Sequence, residues 1–215
     1  TRPGHTPVDP KEEAERVVPV VRELLKAGAL VSIDTRHAEV ARMCVRLGVQ
    51  IINDVSGFTD PEMVKVAADS KCGCIVMHWN KEGLGAHVER KRVALDDSRP
   101  ARPEAARSLT SQRRFTLPEE APIMRQIMGF LGDQARILMR AGVSHDRICI
   151  DPGPGFDKFA DEDIVIQRAT RSMVSMGYPL MCAVSRNRFV GAVSGVSTVT
   201  DRDAATQAIC IAAIT

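Results

Sequence analysis

The stretch RICIDPGPGF (147–156) sets an apolar run against a carboxylate and follows it with a turn built from two prolines and two glycines. Ile148, Cys149 and Ile150 leave no polar position in alternation, so the run reads as a strand covered on both faces, the kind found in parallel sheets. Asp151 marks its carboxyl end. The same grammar recurs along the chain. LVSID (30–34) ends in Asp34, and VQIIN (49–53) ends in Asn53 with Asp54 behind it. GCIVM (73–77) runs into His78, and PLMCAV (179–184) runs into Ser185. Helical patterns fill the intervals at 10–27, 37–47, 119–141, 161–176 and 201–214. In the first of these, Val17, Val20, Val21, Leu24 and Leu25 recur at helical spacing before Gly28. A further helix starts at Asp60-Pro61-Glu62, with a capping residue, proline at the first turn and an acid beside it. Strand and helix alternating in this order predict parallel strands joined by crossover helices, an α/β fold.

The chain has 215 residues, 44% hydrophobic and 26% charged, which is ordinary globular composition. Its formal charge of +2, from 29 basic and 27 acidic residues, argues against a dedicated nucleic-acid binder. No apolar run approaches the roughly 18 residues of a membrane span, and one Trp and one Tyr make no ladder for stacking bases. The six cysteines read as reduced and structural, with Cys149 and Cys182 behaving as small buried hydrophobes inside apolar runs. That usage favours a cytoplasmic location. Residues 80–118 break the rhythm with nine lysines and arginines against five acids, three prolines and little apolar periodicity. They read as an irregular basic insertion, solvated or acting as a lid, within a single domain over 1–215.

The informative pattern is positional. Asp34, Asn53 with Asp54, His78, Asp151 and Ser185 each stand where a strand ends, and ligands of parallel α/β folds bind at the carboxyl ends of strands. Any one of these residues alone reads equally well as a cap or turn former. Together they read as a ligand site. Two carboxylates and an amide suit a flat heterocycle with several N–H donors, such as an aminopyrimidinone. DPGPGF is neither a dinucleotide fingerprint nor a phosphate loop, but its tight turn lets a planar ligand approach the backbone. Arg2, Arg186 and Arg188 lie in segments where they would clamp phosphate or carboxylate. His78 reads first as a hydrogen-bonded core residue, because no Ser or Cys nucleophile lies at a recognisable spacing. No HExxH helix or dense run of ligands points to a protein-held metal.

At these residues the chain resembles the dihydropteroate synthases. The resemblance runs in order through TRPG (1–4), SIDT (32–35), INDVSG (52–57), MH (77–78), DPGPGF (151–156) and VSR (184–186), nearly the whole chain. It implies a (β/α)8 barrel. Five visible strands cannot close such a barrel, and the first methionine is Met43, so the expectation is a chain lacking the barrel's first two strands and its last, from a parent protein longer at both ends. The resemblance further implies condensation of 6-hydroxymethyl-7,8-dihydropterin diphosphate with p-aminobenzoate, giving dihydropteroate and pyrophosphate. Mg2+ would accompany the diphosphate, its family ligand lying outside this chain. The implied partners are these small molecules and a second copy of the chain, and the implied enzyme is a sulfonamide target.

Residue by residue, the resemblance places Asp34, Asn53, Met77, Asp151 and Asn187 at the pterin. It places Thr1, Arg2, Pro3, Phe156, Ser185 and Arg186 at p-aminobenzoate, and gives catalytic weight to Arg2, Asp34 and Asp151. The chain departs from the family pattern where Asn187 replaces the lysine after SR, where Ala183 replaces a glycine, and where GFDK puts Asp157 into the loop. Arg188 is the candidate to compensate for the missing lysine. These departures keep open a non-catalytic pterin-binding paralogue, which would bind without turnover. A pterin-dependent methyltransferase with a corrinoid partner is the third reading, and it would ignore p-aminobenzoate.

Overall fold

The computed structural model describes residues 6–79, 119 and 121–214. Thr1, Arg2, Pro3 and the 80–118 segment lie outside the described residues. Two compact units can be distinguished, one comprising Thr1–Trp79, Gly129–Pro152 and Gly177–Met181, the other Asn80–Met128, Gly153–Met176 and Cys182–Thr215.

The first unit begins with α1 (Pro10–Lys26), whose amino end is closed by the Asp9 side chain accepting from the Lys11 N–H at 2.9 Å. Ala14 and Val21 are its buried face. Val20 and Leu24, expected to share that face, are 58% and 44% exposed, so the apolar stripe is only partly covered. Next come β1 (Ser32–Asp34), α2 (Ala38–Leu47), β2 (Ile51–Asp54), α3 (Pro61–Asp69) and β3 (Gly73–Met77). The Asp60 side chain caps α3 through the Glu62 N–H at 2.9 Å, as the sequence suggested. α4 (Pro122–Arg140), assigned to this unit from Gly129 onward, leads through a 3-10 turn at His145–Arg147 into β4 (Ile148–Asp151).

The four strands form one parallel sheet in the order β1-β2-β3-β4. Ile52, Val76 and Ile150 are fully buried, and Cys74 and Ile148 are nearly so, as strands covered on both faces require. The fifth expected strand is corrected. PLMCAV is reduced to a single bridge, Ile150 with Leu180, held by Ile150 N–H to Pro179 O and Met181 N–H to Ile150 O, both 2.9 Å. Pairing stops there, so Cys182 and Ala183 are exposed rather than buried. Cys182 is therefore not the core cysteine its apolar run suggested.

The second unit contains α5 (Ala160–Arg168), α6 (Thr170–Val174), α7 (Arg188–Ser194) and α8 (Asp203–Ile214). The single helix expected over 161–176 breaks at Ala169, and α7 was not foreseen. Val184, Phe189 and Val190 form its buried cluster, with Ala160, Ile164, Ala205, Ile209 and Cys210 packed around them. Among the described residues no helix is long and apolar enough to cross a membrane.

Candidate active site

Strand register brings the first group of residues together. Asp34 pairs with Asn53, Asn53 with Ile75, and Ile75 with Cys149, while Met77 pairs with Asp151 two residues further on. Side chains two apart on a strand share a face. Asp34, Asn53, Met77 and Asp151 therefore all project from one face of the sheet, at its carboxyl edge. The strand ends are tied to each other by Thr35 N–H to Asn53 O at 3.1 Å and His78 N–H to Asp151 O at 2.9 Å.

Asp54, one residue on from Asn53, belongs to the opposite face and does a different job. It is fully buried and accepts from the Ser56 N–H (2.8 Å), the Ser56 hydroxyl (2.6 Å) and the Phe58 N–H (2.8 Å). Its carboxylate folds the 54–58 turn back on itself. His78 is 5% exposed and sets its ring edge-on to Phe130, centroids 5.3 Å apart, in keeping with a packed core ring. Beyond β1, the Glu13 carboxylate of α1 takes the Thr35 hydroxyl and, at 2.7 Å, His37 Nδ1, which fixes the loop that follows Asp34.

Polarity at this edge is incompletely spent. Asn53 Oδ1 is buried and has no hydrogen-bond partner among the described residues. An orphaned acceptor of this kind is costly, on the order of 1–3 kcal/mol, unless a ligand or water fills it. Asp34 is solvent-accessible, yet enough protein surrounds it that lost hydration raises its carboxyl above the usual range. The Asp54 and Glu13 carboxylates push the same way. Asp151 is 3% exposed. The arrangement offers acceptors in a partly dry setting, suited to a ligand edge carrying N–H donors.

In the second unit the glycine loop is held by two residues that sequence reasoning did not single out. Lys158, 6% exposed, donates to Gly153 O at 2.7 Å and to Phe156 O at 3.2 Å. Asp163, on α5, accepts the Gly155 N–H at 2.8 Å. Gly153 and Phe156 are thus the two loop residues whose carbonyls the lysine grips. Asp157 takes φ +52°, a left-handed conformation that Asp tolerates better than most side chains. GFDK contained the Lys158 signal, but nothing local distinguishes a buried clamp from a surface lysine.

Asn187 is engaged with the same loop. Its Nδ2 donates to Pro154 O at 3.0 Å, and a Cβ added at Gly155 would lie 2.3 Å from that nitrogen. Arg186, at φ +52°, makes a bidentate pair with Asp203 (2.6 Å for each bond), and this pairing raises its pKa further. Ser185 is exposed beside it. Arg202, missed in the sequence, is 4% exposed and donates to the carbonyls of Val196, Ser197, Arg186 and Asn187. Arg188 is exposed at the start of α7, where its charge acts on Asp163.

The family model described as pterin binding enzyme matches residues 1–215. The chain belongs to the pterin-binding enzyme family. It is 33% identical over 213 residues to a dihydropteroate synthase of Staphylococcus haemolyticus, covering 98% of this chain and 67% of that protein. The dihydropteroate synthase of Mycobacterium leprae is 32% identical over 192 residues, covering 89% of this chain and 58% of its own length. The chain thus spans about two thirds or less of these relatives. A solved dihydropteroate synthase of Thermus thermophilus in complex with 4-aminobenzoate superposes with TM-score 0.75 at 30% identity, covering 99% of this chain and 70% of that one. The complex of the Thermus thermophilus synthase with 6HMPPP gives the same TM-score of 0.75 at 28% identity, covering 96% of this chain and 71% of the other. This pterin-binding enzyme therefore shares the α/β barrel fold of the synthases.

Burial lifts the Asp163 carboxyl from 3.8 to about 7, with Glu162 adding to the rise, while the Gly155 N–H, Lys158 and Arg188 oppose it. As pH rises the unfolded chain releases this proton first, so folded stability falls between about 4 and 7. Asp163→Asn keeps an acceptor oxygen for Gly155 and has no proton to lose. In urea unfolding the variant is expected to exceed the parent by about 1–3 kcal/mol at pH 8, the gap closing toward pH 4. A gap independent of pH would remove this assignment.

Proposed function

We propose that the protein is a dihydropteroate synthase, joining 6-hydroxymethyl-7,8-dihydropterin diphosphate to p-aminobenzoate with release of pyrophosphate. The observation that carries the reading is the common face of Asp34, Asn53, Met77 and Asp151, with a buried Asn53 oxygen awaiting a donor. Asp151 accepts paired N–H groups from the pterin edge, Asn53 takes one more, Asp34 engages the ring from the adjacent strand, and Met77 lines its face.

The chemistry asks little more of the protein. The C–O bond of the hydroxymethyl carbon breaks and its electron pair leaves with the diphosphate, and the pterin delocalises the cation left behind. The arylamine nitrogen then forms the new C–N bond and gives up a proton. Asp34 and Asp151, fixed beside the ring, favour that developing positive charge, and orientation of two bound substrates supplies much of the remainder. No side-chain nucleophile is required. Thr1, Arg2, Pro3, Phe156, Ser185 and Arg186 are proposed for p-aminobenzoate, with Arg2 counted as catalytic, and Asn187 for the pterin. Mg2+ is proposed to arrive with the diphosphate. Among the described residues no group of three or more His, Cys, Asp or Glu side chains is placed to hold an ion, and no step above passes through one. A diphosphate ester is too highly charged to cross a bilayer unaided, so the cytoplasm is the proposed location, and a homodimer the proposed assembly.

Pyrophosphate release by the intact protein, with Mg2+ and the dihydropterin diphosphate, is expected to depend on p-aminobenzoate and to yield dihydropteroate by mass. Tight pterin binding without condensation would overturn the proposal in favour of a non-catalytic pterin binder.

A further inference from the structure

We infer that Cys182 and Cys210 are a reversible disulfide site that fastens the turn over 184–187 to α8. Their sulfurs stand 3.9 Å apart, 28 residues apart in sequence, with Cys182 exposed and Cys210 part-buried. Little has to move for the bond to close. Cys210 already packs on the cluster containing Val184, two residues beyond Cys182. The turn is also held on α8 by Arg186 N–H to Thr206 Oγ1 at 3.1 Å and by the Arg186–Asp203 pair.

The other four thiols are set apart from this chemistry. Cys44, Cys72 and Cys74 are buried. Burial pushes the Cys44 thiol up, Cys74 to about 12 and Cys149 to about 11, so these sulfurs stay protonated and unreactive. The Cys72 sulfur is engaged with Val49 O at 3.0 Å.

The oxidant is a small-molecule disulfide such as oxidised glutathione. The exposed Cys182 thiolate displaces one glutathione and forms a mixed disulfide. Cys210 then attacks the Cys182 sulfur and expels the second. One protein S–S bond forms, one glutathione disulfide is reduced to two thiols, and the two protein thiol protons end on them. In a reducing compartment the bond is transient, which is the behaviour of a redox-responsive site.

The test exposes the intact protein to oxidised glutathione, alkylates remaining thiols, and maps peptides by mass spectrometry. A Cys182–Cys210 crosslinked peptide is expected, reversed by dithiothreitol. Oxidation should raise the melting temperature by about 5–10 °C and slow amide exchange over 184–187, and neither change should appear in Cys182→Ser or Cys210→Ser. Independent alkylation of both thiols, glutathione retained on each, pairing with a different cysteine, or a crosslink that leaves melting and exchange unchanged would each overturn the inference.

Discussion

Asp151→Asn is expected to lower kcat/KM for p-aminobenzoate-dependent pyrophosphate release by about 10²–10³-fold while leaving the protein folded. The carboxylate is 3% exposed at the end of β4 and level with Met77. Asparagine has the same size, but it turns one acceptor into an N–H2 donor that faces the donors of the proposed ligand. In a dry site such a mismatch leaves buried polar groups unpaired on both sides. β4 is held by its backbone pairing with β3 and by Ile148 and Ile150, and the Asp151 carbonyl that receives the His78 N–H is unchanged. Steady-state rates and a melting curve on the same preparation separate the two effects. Activity within about threefold of the parent would remove Asp151 from the ligand site.

The second large effect concerns stability. Gly57→Ala is expected to cost about 3–5 kcal/mol, lowering the melting temperature by roughly 10 °C or more. Gly57 has φ +73°, and an added Cβ would lie 2.6 Å from the Met77 carbonyl oxygen and 2.6 Å from Phe130 Cζ. The carbonyl cannot retreat without disturbing β3, and the phenyl ring is already packed against His78. The turn itself is pinned by Asp54 through Ser56 and Phe58, so the backbone has no slack with which to move away. Gly28→Ala is the matched control. Its φ of +75° is nearly the same, but nothing lies within 4 Å of the added atom. That variant should cost only about 1 kcal/mol, the conformational part alone. Equal losses in the two variants would show that the packing around Met77 contributes nothing.

Much of this architecture could be read in advance, and the reasons are local. Asp60 announced its helix because a short acceptor beside proline caps a helix wherever it occurs. The four paired strands announced themselves because a strand with no polar alternation must be covered on both sides. PLMCAV obeyed the same pattern and still failed to pair beyond Leu180, since pairing depends on a neighbour and not on the run itself. Its exposed Cys182 is the visible consequence. Val20 and Leu24 show the same limit on a helix, where period names a face and only packing says whether it is covered.

For the candidate site the division is similar. Sequence alone determined that polar residues stand at strand ends, because a strand's limit and the residue after it are adjacent in the chain. Tertiary structure alone decided that Asp34, Asn53, Met77 and Asp151 share a face while Asp54 turns away to fold its own loop. It alone made Lys158, Asp163 and Arg202 into clamps on backbone carbonyls and amides, and brought Cys182 beside Cys210. A shift of one residue in register would reverse every strand side chain. Register is set by hydrogen bonds between segments far apart in the chain, and no local pattern contains it.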